Sequence, residues 1–164
     1  MSTRVLVLAD THVPDFARAL PAGIWHHVDW ADRILHAGDA TTAGVLVELA
    51  SLAPVDAVVG NIDDPSVAAW GAKYECKLEI EGVRIAMLHD SGRREGRESR
   101  LTQRFPGADV VVFAHSHEPV NRVVDGVRFL NPGSPTWKRR AATPTVARLV
   151  LGRSGVESAE LLAL

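Results

Sequence analysis

The chain has a single cysteine, Cys76, in 164 residues. It can form no internal disulfide and no CxxC zinc module, so any metal site must draw on His, Asp, Glu and Asn. No stretch approaches about 18 uninterrupted apolar residues, which leaves no candidate transmembrane helix. The apolar run Val5–Ala9 near the start is too short for a signal-peptide core and stops at Asp10. A cytoplasmic protein is the default expectation. Charge of neither sign dominates: 18 Lys and Arg face 20 Asp and Glu, a formal net charge of −2. That balance gives no basic footprint for nucleic acid. No repeat, low-complexity tract or linker interrupts the chain, so one domain over residues 1–164 is expected. Such a length suffices to bury a core without covalent staples.

Against these scarcities stand seven histidines. Their placement follows from the order of elements. Residues 4–9 form a short continuous apolar run, which predicts a strand buried on both faces. Residues 22–31 predict a helix with Ile24, Trp25 and Val28 inward, and residues 33–36 a second strand. Val45, Leu46, Leu49 and Leu52 lie at helical spacing within 42–52, with Thr41 or Thr42 as N-cap. Residues 54–59 predict a third strand. This β–α–β–α–β order predicts a layered α/β fold with helices on the sheet faces.

The second half is richer in strands. Hairpins are predicted at 74–80 with 83–88, at 120–124 with 127–130 around Asp125-Gly126, and at 146–151 with 156–162. A short polar helix is predicted at 95–105 and a buried strand at 109–114.

Five of the predicted strands are followed at once by metal-ligating residue types. After 5–9 come Asp10 and His12; after 33–36, Asp39; after 55–59, Asn61; after 83–88, His89; after 109–114, His115 and His117. The carboxyl edge of an α/β sheet is where ligands gather. If those strands are neighbours, seven side chains converge. Two carboxylates, four imidazoles and one amide can hold two divalent ions when one carboxylate bridges. Two such ions against two carboxylates leave a positive pocket suited to phosphate.

At these residues the sequence resembles the calcineurin-like metallophosphoesterases. The motifs are Asp10-Thr11-His12, Gly38-Asp39, Gly60-Asn61-Ile62-Asp63, His89 and His115-Ser116-His117, in that order. Asn131-Pro132-Gly133-Ser134 narrows the resemblance to the small bacterial and archaeal phosphodiesterases of that superfamily. The resemblance implies a sandwich of two mixed β-sheets flanked by helices. It implies one metal on Asp10, His12, Asp39 and His117, and another on Asp39, Asn61, His89 and His115. A hydroxide between them would attack phosphorus in a small phosphorylated substrate. It implies manganese first, with nickel, zinc or iron as alternatives, and leaves a homo-oligomer open. Ile62 stands where the phosphatase branch has a proton-donating histidine, which favours diesters or activated esters. Asp90 stands where the family has glycine.

Competing readings stay open on the sequence. A phosphomonoesterase or nucleotide phosphatase of the same superfamily would use the same residues. A binding module could keep the fold without turnover. Isolated strand-end residues are common turns, and His89 alone reads as a core histidine. An amidohydrolase barrel needs about 250 residues and is excluded. His36 is either a support for the site or a core residue, and His26 and His27 are expected at the surface or partly packed. Trp25, Trp30 and Trp70 are expected to pack. Asp63, Asn131 and Ser134 either support the pocket or simply turn the chain. The run 93–100 reads as a solvated helix face with i,i+3 pairs, or as a rim that attracts phosphorylated substrate.

Overall fold

Along the first strand, β1 (Thr3–Leu8), alternate side chains enter two different cores. Val5 and Val7 pack with Leu35, Met87, Val112 and Leu149. Leu6 and Leu8 pack with Ile24, Val28, Leu46 and Leu49. A strand apolar on both faces must be covered on both, and that requirement sets the architecture. The computed structural model describes residues 1–164.

Helix α1 (Trp25–Trp30) precedes β2 (Arg33–His36), and α2 (Ala43–Ala50) precedes β3 (Val55–Ala57). Helix α3 (Pro65–Trp70) leads into β4 (Glu75–Ile80) and β5 (Val83–Leu88). Helix α4 (Arg97–Arg104) comes before β6 (Val110–Val112), then β7 (Val120–Val124), β8 (Val127–Asn131), β9 (Thr145–Gly152) and β10 (Gly155–Ala163). The strands form two five-stranded sheets, ordered β10-β9-β1-β2-β3 and β4-β5-β6-β8-β7. Both are mixed. β1, β2 and β3 run parallel, as do β5, β6 and β8, while β9, β10, β4 and β7 run antiparallel to their neighbours.

One core lies between the sheets, from Val5, Val7 and Leu149 to Ile85, Met87 and Val112. A second joins the outer face of the first sheet to α1, α2 and α3. A third seats Leu101 and Phe105 of α4 on Phe113 and Phe129 of the second sheet. Each fully buried side chain of this size contributes about 1.5–3 kcal/mol on transfer from water. The result is a four-layered sandwich of two mixed sheets flanked by helices, as expected. No helix is long and apolar enough to cross a membrane.

Three local expectations need correction. Helix α3 was not foreseen. Asp64 caps it by accepting the Ser66 N–H at 2.8 Å, with Pro65 in its first turn and Gly71 at its end. His27 is buried, beyond the surface or partly packed position expected, its ring 3.8 Å from that of His26. The arginines of 93–100 do not form i,i+3 pairs. Arg100 donates to the carbonyls of Ser91, Arg93 and Glu95, and Arg97 is buried with its guanidinium 4.8 Å from the Phe113 ring. Desolvation of Arg97 is offset by that aromatic face.

Candidate metal centre

In each sheet, backbone hydrogen bonds between neighbouring parallel strands continue past the strand ends. The Ala37 N–H donates to Leu8 O, Asp10 N–H to Gly38 O, and Ala114 N–H to His89 O. Immediately past those ends the chain reverses. Asp10, His12, Asp39, His115 and His117 all take left-handed backbone angles, with φ of 52°, 47°, 56°, 69° and 61°. Such angles are uncommon outside glycine and cluster where surrounding structure enforces them. Here they turn five side chains inward across the sheet edge.

All seven predicted residues come together. His12 Nε2 lies 3.1 Å from His117 Nε2, and Asp10 Oδ1 lies 3.9 and 3.6 Å from these two nitrogens. Asn61 Oδ1 lies 3.0 Å from His89 Nε2 and 2.9 Å from His115 Nδ1. Asp39 Oδ2 sits between the two sets, 3.8 Å from His12 Nε2 and 3.2 Å from His89 Nε2. Asp10, His12 and His117 form one compact group of ligand atoms; Asp39, His89 and His115 form a second. Asp90 is exposed, with Oδ2 4.0 Å from His115 Nε2.

The imidazoles are oriented by carbonyls. His117 Nδ1 faces Trp137 O at 2.5 Å and His89 Nδ1 faces Ala37 O at 2.8 Å. A carbonyl only accepts, so each Nδ1 carries a proton and each ring, once neutral, presents its Nε2 lone pair to the centre. Asp10 Oδ2 accepts from the His115 N–H at 3.2 Å, but Asp10 Oδ1 is buried without any hydrogen-bond partner. An orphaned carboxylate oxygen facing imidazole lone pairs is costly unless a cation completes it. The donor set, nitrogen and oxygen without sulfur, fits divalent cations.

The ionisation pattern agrees. Burial pushes the Asp10 carboxyl up to about 7, against the opposing charge of His89. Burial opposes charging of His89, yet the Asp39 hydrogen bond and the charges of Asp10 and Asp39 raise its pKa. Burial works to raise Asp39 too, but its bond to His89 wins and lowers it. Burial lowers His12, and lowers His117 to about 4. Three imidazoles and two carboxylates with shifted pKa values in one cluster are characteristic of a functional site.

Supporting residues were partly foreseen. Asp63 accepts from three backbone donors, Gly60 at 2.6 Å, Thr41 at 2.6 Å and Asp39 at 3.1 Å, pinning two loops together. Ser134 Oγ donates to Asp10 O at 2.7 Å, and Asn131 accepts the Gly133 N–H at 2.9 Å. His36 is fully buried, with Nδ1 3.3 Å from the donating Gly38 N–H and Nε2 3.0 Å from Thr11 Oγ1. It therefore ties the loop after β1 to the loop after β2, and burial drops its pKa to about 3. Ala37 O, Trp137 O and Thr136, whose Oγ1 donates to Thr11 O at 2.8 Å, were missed. The first two act through backbone atoms, which no side-chain pattern reports.

A sequence model of the calcineurin-like phosphoesterase superfamily domain matches residues 3–153. A probable metallophosphoesterase of Methanothermobacter thermautotrophicus is 36% identical over 137 residues, which are 81% of this chain and 77% of that protein. Vps29 of Entamoeba histolytica in complex with Zn²⁺ is similar with a TM-score of 0.79 at 23% identity, over 97% of each chain. An archaeal phosphodiesterase is similar with a TM-score of 0.72 at 22% identity, over 98% of this chain and 99% of that one. The last two likenesses concern the fold alone. The strand-end order that sets Asp10, Asp39, His89 and His117 face to face lies wholly within the matched stretch, and the chain belongs to the calcineurin-like phosphoesterase superfamily.

Proposed function

We propose that the protein is a two-metal phosphodiesterase acting on small phosphodiesters, with residues 1–164 working as one metallophosphoesterase domain. The observation that carries this reading is the position of Asp39 Oδ2 between His12 and His89, beside the unpartnered Asp10 Oδ1. Asp10, His12, Asp39 and His117 would hold one ion, and Asp39, Asn61, His89 and His115 the other, with Asp39 shared. Manganese is the first choice, then nickel, zinc or iron. When bound, two divalent cations supply positive charge to the phosphoryl oxygens and acidify the attacking water.

The chain's own residues prepare that chemistry. Trp137 O and Ala37 O hold His117 and His89 in the tautomer that presents Nε2. The Ile62 N–H donates to Asp39 Oδ1 at 3.1 Å, leaving Oδ2 free to face both groups. Exposed Ile62 offers no proton to a leaving oxygen, which favours leaving groups stable as anions. Two open cavities flank the centre, one of about 820 Å³ reaching His117 and one of about 410 Å³ reaching Asn61 and His89. An archaeal phosphodiesterase has the same fold.

The test compares bis(p-nitrophenyl) phosphate with p-nitrophenyl phosphate under saturating Mn²⁺. The expected kcat/KM is at least about tenfold higher on the diester, a difference of about 1.4 kcal/mol. A faster monoester would transfer the protein to the phosphomonoesterase reading. The Vps29 likeness supports a second reading, a metal-holding module without turnover. Bound metal with no hydrolysis of any phosphoester would favour it.

Metal binding should also be coupled to protons. Asp10, pushed up to about 7, is protonated below that pH, and a ligand must ionise. His89, with its raised pKa, must likewise lose a proton to coordinate. Apparent Mn²⁺ affinity should therefore fall as pH drops below 7, by about tenfold per pH unit for each proton displaced. Calorimetry in buffers of different ionisation enthalpy checks this; affinity flat between pH 6 and 8 with no proton release would contradict it.

A further inference from the structure

The cavity that reaches His117 is lined by three arginines, Arg94, Arg139 and Arg140, against one carboxylate, Glu118. Glu118 lies 3.8 Å from Arg94. Arg139 and Arg140 form no ion pair. Arg139 is nevertheless held: its Nη1 donates to His115 O at 3.1 Å and its guanidinium lies 4.7 Å from the Trp137 ring. The same Trp137 supplies the carbonyl that orients His117 and stacks on Phe16 with ring centroids 4.4 Å apart. A fixed, unneutralised guanidinium thus stands on the rim of the centre, with a free Arg140 beside it. The flanking cavity near Asn61 and His89 differs, since its lining pairs Arg104 with Glu75 and adds Asp90. Positive charge is concentrated on one side of the centre only.

Guanidinium groups recognise phosphate through paired N–H donors and are more weakly hydrated than ammonium groups. Bound ions at the centre would be engaged with the scissile phosphate, so the arginines are available to another anion. We propose that Arg139 and Arg140, with Arg94, form a subsite for a second phosphate carried on one arm of the substrate. The preferred substrate class is then a phosphodiester of a nucleotide or sugar phosphate bearing an additional phosphomonoester. This rests on the phosphodiesterase reading for the scissile bond, but not for binding.

The experiment uses the full chain loaded with Mn²⁺ and two substrates. They are the p-nitrophenyl ester of thymidine 5′-monophosphate and the same ester carrying a 3′-phosphate. Wild type should hydrolyse the 3′-phosphorylated ester with about tenfold higher kcat/KM, expressed mainly in KM and diminished by salt. Arg140→Gln should abolish that preference and leave bis(p-nitrophenyl) phosphate hydrolysis unchanged; Arg94→Gln should reduce it. Equal kcat/KM for the two thymidine esters in wild type, or a preference that survives Arg140→Gln, overturns the subsite. If neither ester is hydrolysed, the phosphodiesterase reading has failed, and calorimetry decides the subsite separately. Thymidine 3′,5′-bisphosphate binding tighter than thymidine 5′-monophosphate in wild type, but not in Arg140→Gln, supports it. Equal affinities overturn it.

Discussion

Asp39→Asn is expected to lower kcat/KM for bis(p-nitrophenyl) phosphate by about 1,000-fold with Mn²⁺ supplied. Asparagine keeps the size of the side chain and an oxygen for the Ile62 N–H. It loses the charge and presents an amide to His12 and His89, where Oδ2 now lies 3.8 and 3.2 Å away. On the proposed assignment Asp39 would be a ligand of both ions, so both would lose it at once. Stabilisation of the phosphoryl oxygens then falls by several kcal/mol. Circular dichroism and the melting temperature of the metal-free protein should change little, because the side chain's bond to the loop is preserved. Activity within tenfold of wild type would show that Asp39 does not bridge.

Gly60→Ala should damage the same centre from the backbone side. A Cβ at residue 60 would lie 2.0 Å from Asp39 Oδ1 and 2.3 Å from Asp39 N. The Asp39 backbone cannot yield easily, since its N–H donates to Asp63 Oδ2, which also accepts the Gly60 N–H. The loops after β2 and β3 must therefore part. Overpacking of this kind costs about 1–3 kcal/mol, or roughly 3–10 °C in Tm for a chain of this length. Mn²⁺ affinity should fall with it, because Asp39 and Asn61 sit on the two loops forced apart. Gly23→Ala is the control: its nearest contact would be Leu164 at 3.8 Å, and neither Tm nor metal binding should shift appreciably. A Gly60→Ala protein that melts and binds like wild type would mean that these loops adjust freely.

The candidate residues were legible in the sequence for a physical reason. Parallel strands deliver their next residues to one edge, so ligand types at the ends of five apolar runs converge when the strands are neighbours and the two sheets share that edge. Asp10, His12, Asp39, Asn61, His89, His115 and His117 are readable as strand-end residues and as motifs of the family, whereas their meeting depends on how the two sheets pack. The Asp125-Gly126 hairpin was equally readable, because both residues take positive φ, 49° and 80°, as a tight two-residue turn requires. Helix α3 was not, since six residues give too little periodicity, although Asp64-Pro65 announced its start. Arg97 misled because a polar helix with one buried guanidinium has the same pattern as a solvated one. Ala37 O and Trp137 O were invisible, because any residue type can offer a carbonyl. Asp63 lay between: its motif was seen, but three backbone acceptor bonds appear only once two loops meet.

The most direct test of the central claim is the number of metal ions per chain together with the activity that each supports. Apo-protein titrated with Mn²⁺ under equilibrium dialysis, with hydrolysis of bis(p-nitrophenyl) phosphate followed in the same samples, measures both. The account predicts two ions per chain, turnover that requires both, and loss of turnover on chelation. Full turnover with one ion, or turnover that survives chelation, would contradict it.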